Sequence, residues 1–187
     1  MISQLKDSSE LFRRAQNIAA LVFDVDGVFS KGEIVYLNQG DESKQFDAHD
    51  GFAIKLAREA GLKTAIISAS TSSAIQRRAD WLKIDHVFIG RYDKANAYDE
   101  LRELLQLSSE NVCYIGDDIA DIPVLRQVGL AVAVPNASLQ TKQAAHALTR
   151  RSGGMGVVRE TMEFILNAQN KLDSALEHLL ATLSDVS

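Results

Sequence analysis

Short aliphatic and β-branched runs alternate along the chain with stretches in which apolar residues recur every three or four positions. That is the pattern of a parallel sheet covered by helices on both faces. The runs at 21–25, 64–68, 86–89, 112–115 and 130–134 read as strands, and the stretches at 52–59, 72–82, 94–105, 122–127 and 139–147 read as helices. Gly61 stands where a helix C-cap belongs, and Asp121 followed by Pro123 reads as a helix start. The expected fold class is α/β, a Rossmann-like parallel sheet with helices on both faces.

One stretch breaks the alternation. Residues 32–37, then Asn38-Gln39-Gly40-Asp41, then 42–46 read as strand, turn and strand, so 28–46 is expected to be a β-hairpin inserted after the first strand. It is too short for a cap domain. After Gly153, Gly154 and Gly156, a final helical run extends from Val157 towards Leu183, with Phe164, Ile165, Leu172, Leu176, Leu179 and Leu180 in an apolar stripe. That stripe suits packing on its own domain or contact with another subunit. With 187 residues and only 2 Pro, the chain reads as one domain, in which 151–187 is a glycine-rich tail and C-terminal helix.

A net charge of −5 argues against nucleic acid as the main partner, because binding a phosphate backbone needs a basic surface. A small anionic substrate remains compatible if a metal or a few placed cations meet it. No apolar run approaches the length of a membrane span, and the polar first ten residues do not resemble a signal peptide. The single Cys113, in an apolar run, reads as a core residue that can form no internal disulfide. A cytoplasmic protein is expected. His86, His146 and His178 form no spaced cluster for zinc, and Trp81 with Ile75 and Leu82 reads as core.

The candidate chemistry lies at the strand ends. Asp24-Val25-Asp26 closes the first strand, and period-two alternation would put both carboxylates on one face. Two like charges so close cost free energy unless a cation or a reaction uses them. In a parallel sheet every strand's carboxyl end reaches the same edge. The second strand brings Ser68 there, the segment after the third brings Lys94, and the fourth brings Gly116-Asp117-Asp118 with Asp121 close behind. Taken singly, Ser68 reads as a strand-end hydroxyl, Lys94 as a helix-start residue, and Asp117 and Asp118 as capping residues. Together, carboxylates, a hydroxyl and an ammonium suit a hard divalent cation, magnesium above all, and a phosphoryl group.

In these residues the chain resembles the haloacid dehalogenase superfamily of phosphotransferases, whose four motifs match 23–27, Ile67-Ser68, Lys94 and 116–121. The resemblance extends to the capless branch that includes the phosphatases of 3-deoxy-D-manno-octulosonate 8-phosphate (KDO-8-phosphate), through Asp50-Gly51, 90–94 and 153–160. It implies that Asp24 is the nucleophile that forms an aspartyl-phosphate. Asp26 would be the acid and base, carrying the raised pKa of the pair. Ser68 and Lys94 would bind the phosphoryl group. The metal, Mg2+, would be held by Asp24, the backbone carbonyl of Asp26, and Asp117, with Asp118 or Asp121 orienting the shell. Asp50, Gly51, Ala69, Arg78 and Arg159 fall at substrate-contact positions. The resemblance further implies hydrolysis of a sugar-acid phosphate for lipopolysaccharide synthesis. It implies a homotetramer joined through the hairpin, with the glycine-rich tail reaching a neighbour's site. The chain departs from the branch pattern in having Ala69-Ser70 for Gly-Arg, His49 for Arg, and Lys31 for an acidic residue. His49 reads as a reduced substitute for arginine or as a turn residue, and Arg77-Arg78 as a solvated helix face or a substrate contact. The same chemistry on a sialic-acid-like 9-phosphate, or an inactive scaffold, are the other functional readings.

Overall fold

The computed structural model describes residues 3–4, 8–37 and 42–184. Its strands are β1 (Ser3–Gln4), β2 (Ala20–Phe23), β3 (Val35–Tyr36), β4 (Glu42–Ser43), β5 (Lys63–Ile67), β6 (His86–Phe88), β7 (Val112–Gly116), β8 (Leu130–Ala133) and β9 (Ala147–Leu148). Its helices are α1 (Ser8–Gln16), α2 (Ala48–Glu59), α3 (Ser73–Leu82), α4 (Lys94–Leu105), α5 (Ile122–Leu125), α6 (Leu139–Ala144), α7 (Val157–Ala168) and α8 (Leu172–Ser184). The main sheet runs β1-β9-β8-β7-β2-β5-β6, six strands parallel and β1 antiparallel at its edge.

Alternation along the central strands builds two cores. Leu21 and Phe23 of β2 join Cys113 and Ile115 of β7 under α1, α2, α7 and α8, while Ala20 and Val22 join Tyr114 under α4 and α5. Burial pushes the Cys113 thiol up, which leaves it protonated and inert.

Several elements differ from the sequence expectation. The first strand ends at Phe23, and Val25–Phe29 winds into a tight turn in which Gly27 has φ 87°. The two carboxylates are therefore brought together by a turn and not by strand alternation. The expected last helix is two: Asn170, at φ 54°, closes α7, with Lys171 N–H donating to Leu166 O at 2.8 Å and Asn170 N–H to Asn167 O at 3.1 Å. This left-handed stop needs no glycine when an asparagine is present. Of the stripe, Ile165 and Leu179 are buried in the chain's own core, while Leu180 is 63% exposed. Trp81 is 66% exposed, because it lies one position from Leu82, about 100° around the helix from the face that buries Ile75, Ala79 and Leu82. Its ring lies against Lys55 and Arg78. The α1 helix and the two-residue strands β1 and β9 were not anticipated, and the stretch read as helix to 147 ends at Ala144, before β9.

The inserted hairpin is present as β3 paired with β4, Val35 opposite Ser43 and Tyr36 opposite Glu42. The turn expected at Asn38-Gln39-Gly40-Asp41 lies outside the described residues. Ile34, Val35, Tyr36 and Leu37 are all exposed.

Candidate active site

The carboxyl ends of β2, β5 and β7 surround a cavity of about 300 Å³ lined by Asp24, Asp26, Gly32, Ser68, Ala69, Ser70, Lys94, Asp117, Asp118 and Ala120. All the residues expected to act on the phosphoryl group or the metal meet here, together with Ala69.

Lys94 opens α4 yet is only 4% exposed, because its side chain turns back under the sheet edge. Its ammonium lies 2.9 Å from Asp24 Oδ2 and 2.6 Å from Asp121 Oδ1. Burial favours the neutral amine, but the two carboxylates outweigh it and hold Lys94 above the usual lysine range. Asp24 is raised to about 7, chiefly by burial, with Lys94 opposing and Asp121 adding to the shift. Asp24 is the member of the Asp24/Asp26 pair that is buried among other carboxylates.

Asp121 is fully buried and accepts four hydrogen bonds. Oδ1 takes Lys94 Nζ at 2.6 Å and the Tyr114 hydroxyl at 2.7 Å, and Oδ2 takes the backbone N–H groups of Asp117 at 2.9 Å and Asp118 at 3.1 Å. A carboxylate has about four lone-pair positions, so Asp121 has none left for a cation. It orients the loop and Lys94.

Asp117 is different. Its Oδ1 is buried with no hydrogen-bond partner, and burial together with Asp24 and Asp121 raises its carboxyl to about 8. Carboxylate oxygens of Asp24, Asp117 and Asp121 lie within 4.8 Å of one another. An orphaned buried carboxylate oxygen beside a second carboxylate fits a divalent cation, which would satisfy the oxygen and offset the repulsion. Gly27 keeps this space open: a Cβ there would stand 2.0 Å from Asp117 Oδ2.

The hydroxyl of Ser68 is placed by β5, whose Ile67 pairs with Phe88 of β6. Ser68 N–H donates to Phe88 O at 2.8 Å, and Oγ accepts from Ser70 N–H at 3.2 Å, which leaves the hydroxyl proton for a ligand.

Asp50, Gly51, Arg78 and Arg159 lie elsewhere. Asp50 Oδ1 accepts from Arg159 N–H at 2.8 Å and so joins α2 to the start of α7. Gly51 packs under the Arg78 guanidinium, which lies over the Phe46 and Trp81 rings. The Arg159 guanidinium pairs with Glu163. None of the four lines the catalytic cavity; His49, exposed on the first turn of α2, joins Arg150, Arg151 and Arg159 around a separate one of about 410 Å³. The glycine-rich segment packs on its own chain's turn. Gly154 N–H donates to Val28 O at 2.8 Å, Asn136 bridges Gly27 O and Gly153 N–H, and a Cβ on Gly153 would stand 1.7 Å from Gly27 O.

The sequence reading missed Tyr114, Asn136 and Lys44. Tyr114 sits within a strand run like any core residue, and nothing in the pattern shows that its hydroxyl meets Asp121. Lys44 looks like a solubilising lysine on an edge strand, yet its ammonium lies 2.6 Å from Asp26 Oδ1.

A parallel sheet whose strand ends gather an acid pair, a buried lysine and a further acidic loop defines a phosphoryl-transfer hydrolase, and the chain belongs to the haloacid dehalogenase-like hydrolases. The profile of that family matches residues 83–160. The chain is 44% identical over 168 residues to the 3-deoxy-D-manno-octulosonate 8-phosphate phosphatase KdsC of Yersinia pestis, covering 90% of each. The solved structure of the 3-deoxy-D-manno-octulosonate 8-phosphate phosphatase of Moraxella catarrhalis, in complex with magnesium, phosphate and KDO, matches with a TM-score of 0.89 at 35% identity over 92% of this chain and 99% of that one. The cobalt-bound deoxy-D-mannose-octulosonate 8-phosphate phosphatase of Haemophilus influenzae matches at TM-score 0.82 and 33% identity, covering 85% and 93%. Among the described residues no helix is long and apolar enough to cross a membrane.

Proposed function

We propose that this protein is a magnesium-dependent phosphomonoesterase that hydrolyses KDO-8-phosphate to KDO and phosphate in the cytoplasm, as a step of lipopolysaccharide synthesis. The observation that carries the reading is the buried Asp24 carboxylate, 2.9 Å from Lys94 and beside the orphaned Asp117 Oδ1, in a cavity at the carboxyl edge of the sheet. The names and ligands of the relatives support the substrate and the metal.

In this reading Asp24 attacks phosphorus and Asp26 protonates the leaving sugar oxygen, then removes a proton from the water that releases phosphate. Lys94 neutralises charge on Asp24 and on the phosphoryl oxygens, and Ser68 donates to one of those oxygens. Asp24, Asp117 and the Asp26 carbonyl would hold the cation, with Asp121 orienting Asp117. When bound, the cation neutralises phosphoryl and carboxylate charge.

A second reading keeps the chemistry and changes the sugar. Ser70 presents a hydroxyl, 3.5 Å from Glu42 Oε2, at a position where the branch has an arginine, and this favours a ligand less dependent on a guanidinium fork, such as a sialic-acid-like 9-phosphate. Phosphate release by the purified protein with magnesium, from KDO-8-phosphate, a sialic-acid-like 9-phosphate and common hexose phosphates, separates the two. A preference for KDO-8-phosphate is expected. Release without that preference moves the assignment to another sugar acid, and no release from any ester leaves only a binding scaffold.

A further inference from the structure

Lys44 follows β4 in a hairpin whose other arm exposes its apolar residues, yet its own side chain is 1% exposed. Its ammonium lies 2.6 Å from Asp26 Oδ1 and 3.4 Å from Glu42 Oε2. An ammonium is not buried to this degree without a compensating acceptor, and the shorter of its two contacts is to the residue read as the acid and base. Ser30 Oγ, 3.3 Å away, lies against the same Asp26 oxygen. The other oxygen, Oδ2, has no protein hydrogen-bond partner among the described residues, and Asp26 lines the catalytic cavity.

We propose that Lys44 is a positioning residue for proton transfer by Asp26. By occupying Oδ1 it fixes the carboxyl rotamer and leaves Oδ2 to face the leaving oxygen. The inference rests on the phosphatase reading above and deepens it. In the step concerned, an Asp24 oxygen forms a bond to phosphorus while the bond from phosphorus to the ester oxygen breaks. The electron pair of that bond stays on the ester oxygen, which takes the proton from Asp26 Oδ2. The hairpin thus carries more than an apolar surface: it supplies a charge, 18 residues along the chain from Asp26, without which the carboxyl keeps only the longer contact from Ser30 Oγ at 3.3 Å.

The signature of such a role is its dependence on the leaving group. An alkoxide leaving from a sugar phosphate needs its proton in the transition state, whereas p-nitrophenolate does not. The value of kcat/KM reports only steps up to aspartyl-phosphate formation, so later hydrolysis of that intermediate does not enter. Lys44→Met keeps the buried stem, and it is expected to lower kcat/KM about a hundredfold on the sugar phosphate preferred by the unaltered protein and less than about tenfold on p-nitrophenyl phosphate. Lys44→Arg is expected to restore the ratio between the two esters to within about threefold. Asp26→Asn should show the same selectivity, and adding Lys44→Met to it should cost little more, as for residues acting as one unit. Equal losses on both esters, no loss on either, or additive losses in the double variant overturn the role of Lys44 and leave the phosphatase reading standing. Failure of the unaltered protein to hydrolyse either ester overturns both.

Discussion

Replacing Asp121 by asparagine exchanges one carboxylate oxygen for an NH2 group at a residue whose four acceptor positions are all in use. The amide keeps one acceptor oxygen and gains two donors. If its NH2 group faces the backbone N–H groups of Asp117 and Asp118, these two part-buried donors lose their acceptor, at no more than about 1–3 kcal/mol each. If it faces the other way, the Tyr114 hydroxyl can rotate and accept, but the Lys94 ammonium cannot. Lys94 then loses its 2.6 Å contact and keeps only Asp24. The two orientations cost about the same, and breaking one arm of a buried ion pair sets the loss at about 3 kcal/mol. In a chain of this size the loss corresponds to a Tm lower by about 6–12 °C. Urea unfolding in the presence of a chelator, so that no cation contributes, should show a lower midpoint at unchanged slope. A loss below about 1 kcal/mol would refute the claim that Asp121 is saturated and would return it to the candidate metal ligands.

Asp24→Asn should abolish phosphate release while the far-ultraviolet circular dichroism stays that of the unaltered protein; retained turnover would sink the covalent route. Asp50 is raised from 3.8 to about 6, chiefly by burial. Between those values the folded chain holds the proton and the unfolded chain has lost it, so this group's contribution falls as pH rises from about 4 to 6, by at most about 3 kcal/mol, and is level above. Unfolding curves of Asp50→Asn against the unaltered protein should show that difference shrinking below pH 6, and a pH-independent difference would contradict the shift. Light scattering at micromolar concentration should give a tetramer, and Ile34→Lys with Tyr36→Lys on the exposed hairpin arm should lower the mass; a monomeric unaltered protein counts against assembly through the hairpin.

Hydrophobic periodicity alone was enough to mark five of the six parallel strands and α4, whose predicted bounds match the observed helix, because each buries a regular face against a regular neighbour. It also sufficed to gather Asp24, Ser68, Lys94 and Asp117, since parallel strands deliver their carboxyl ends to one edge whatever their loops do. Tertiary structure decided what depends on partners distant in the chain. The two-residue β9 exists only because β8 offers its edge, and Trp81 turns outward by a rotation that composition does not reveal. Which aspartate is free for a cation depended on counting the donors around Asp121, and Lys44 became part of the site only when the hairpin folded back on Asp26. Periodicity reports which face of an element is buried; the donor opposite a given carboxylate is fixed by packing between elements far apart in sequence.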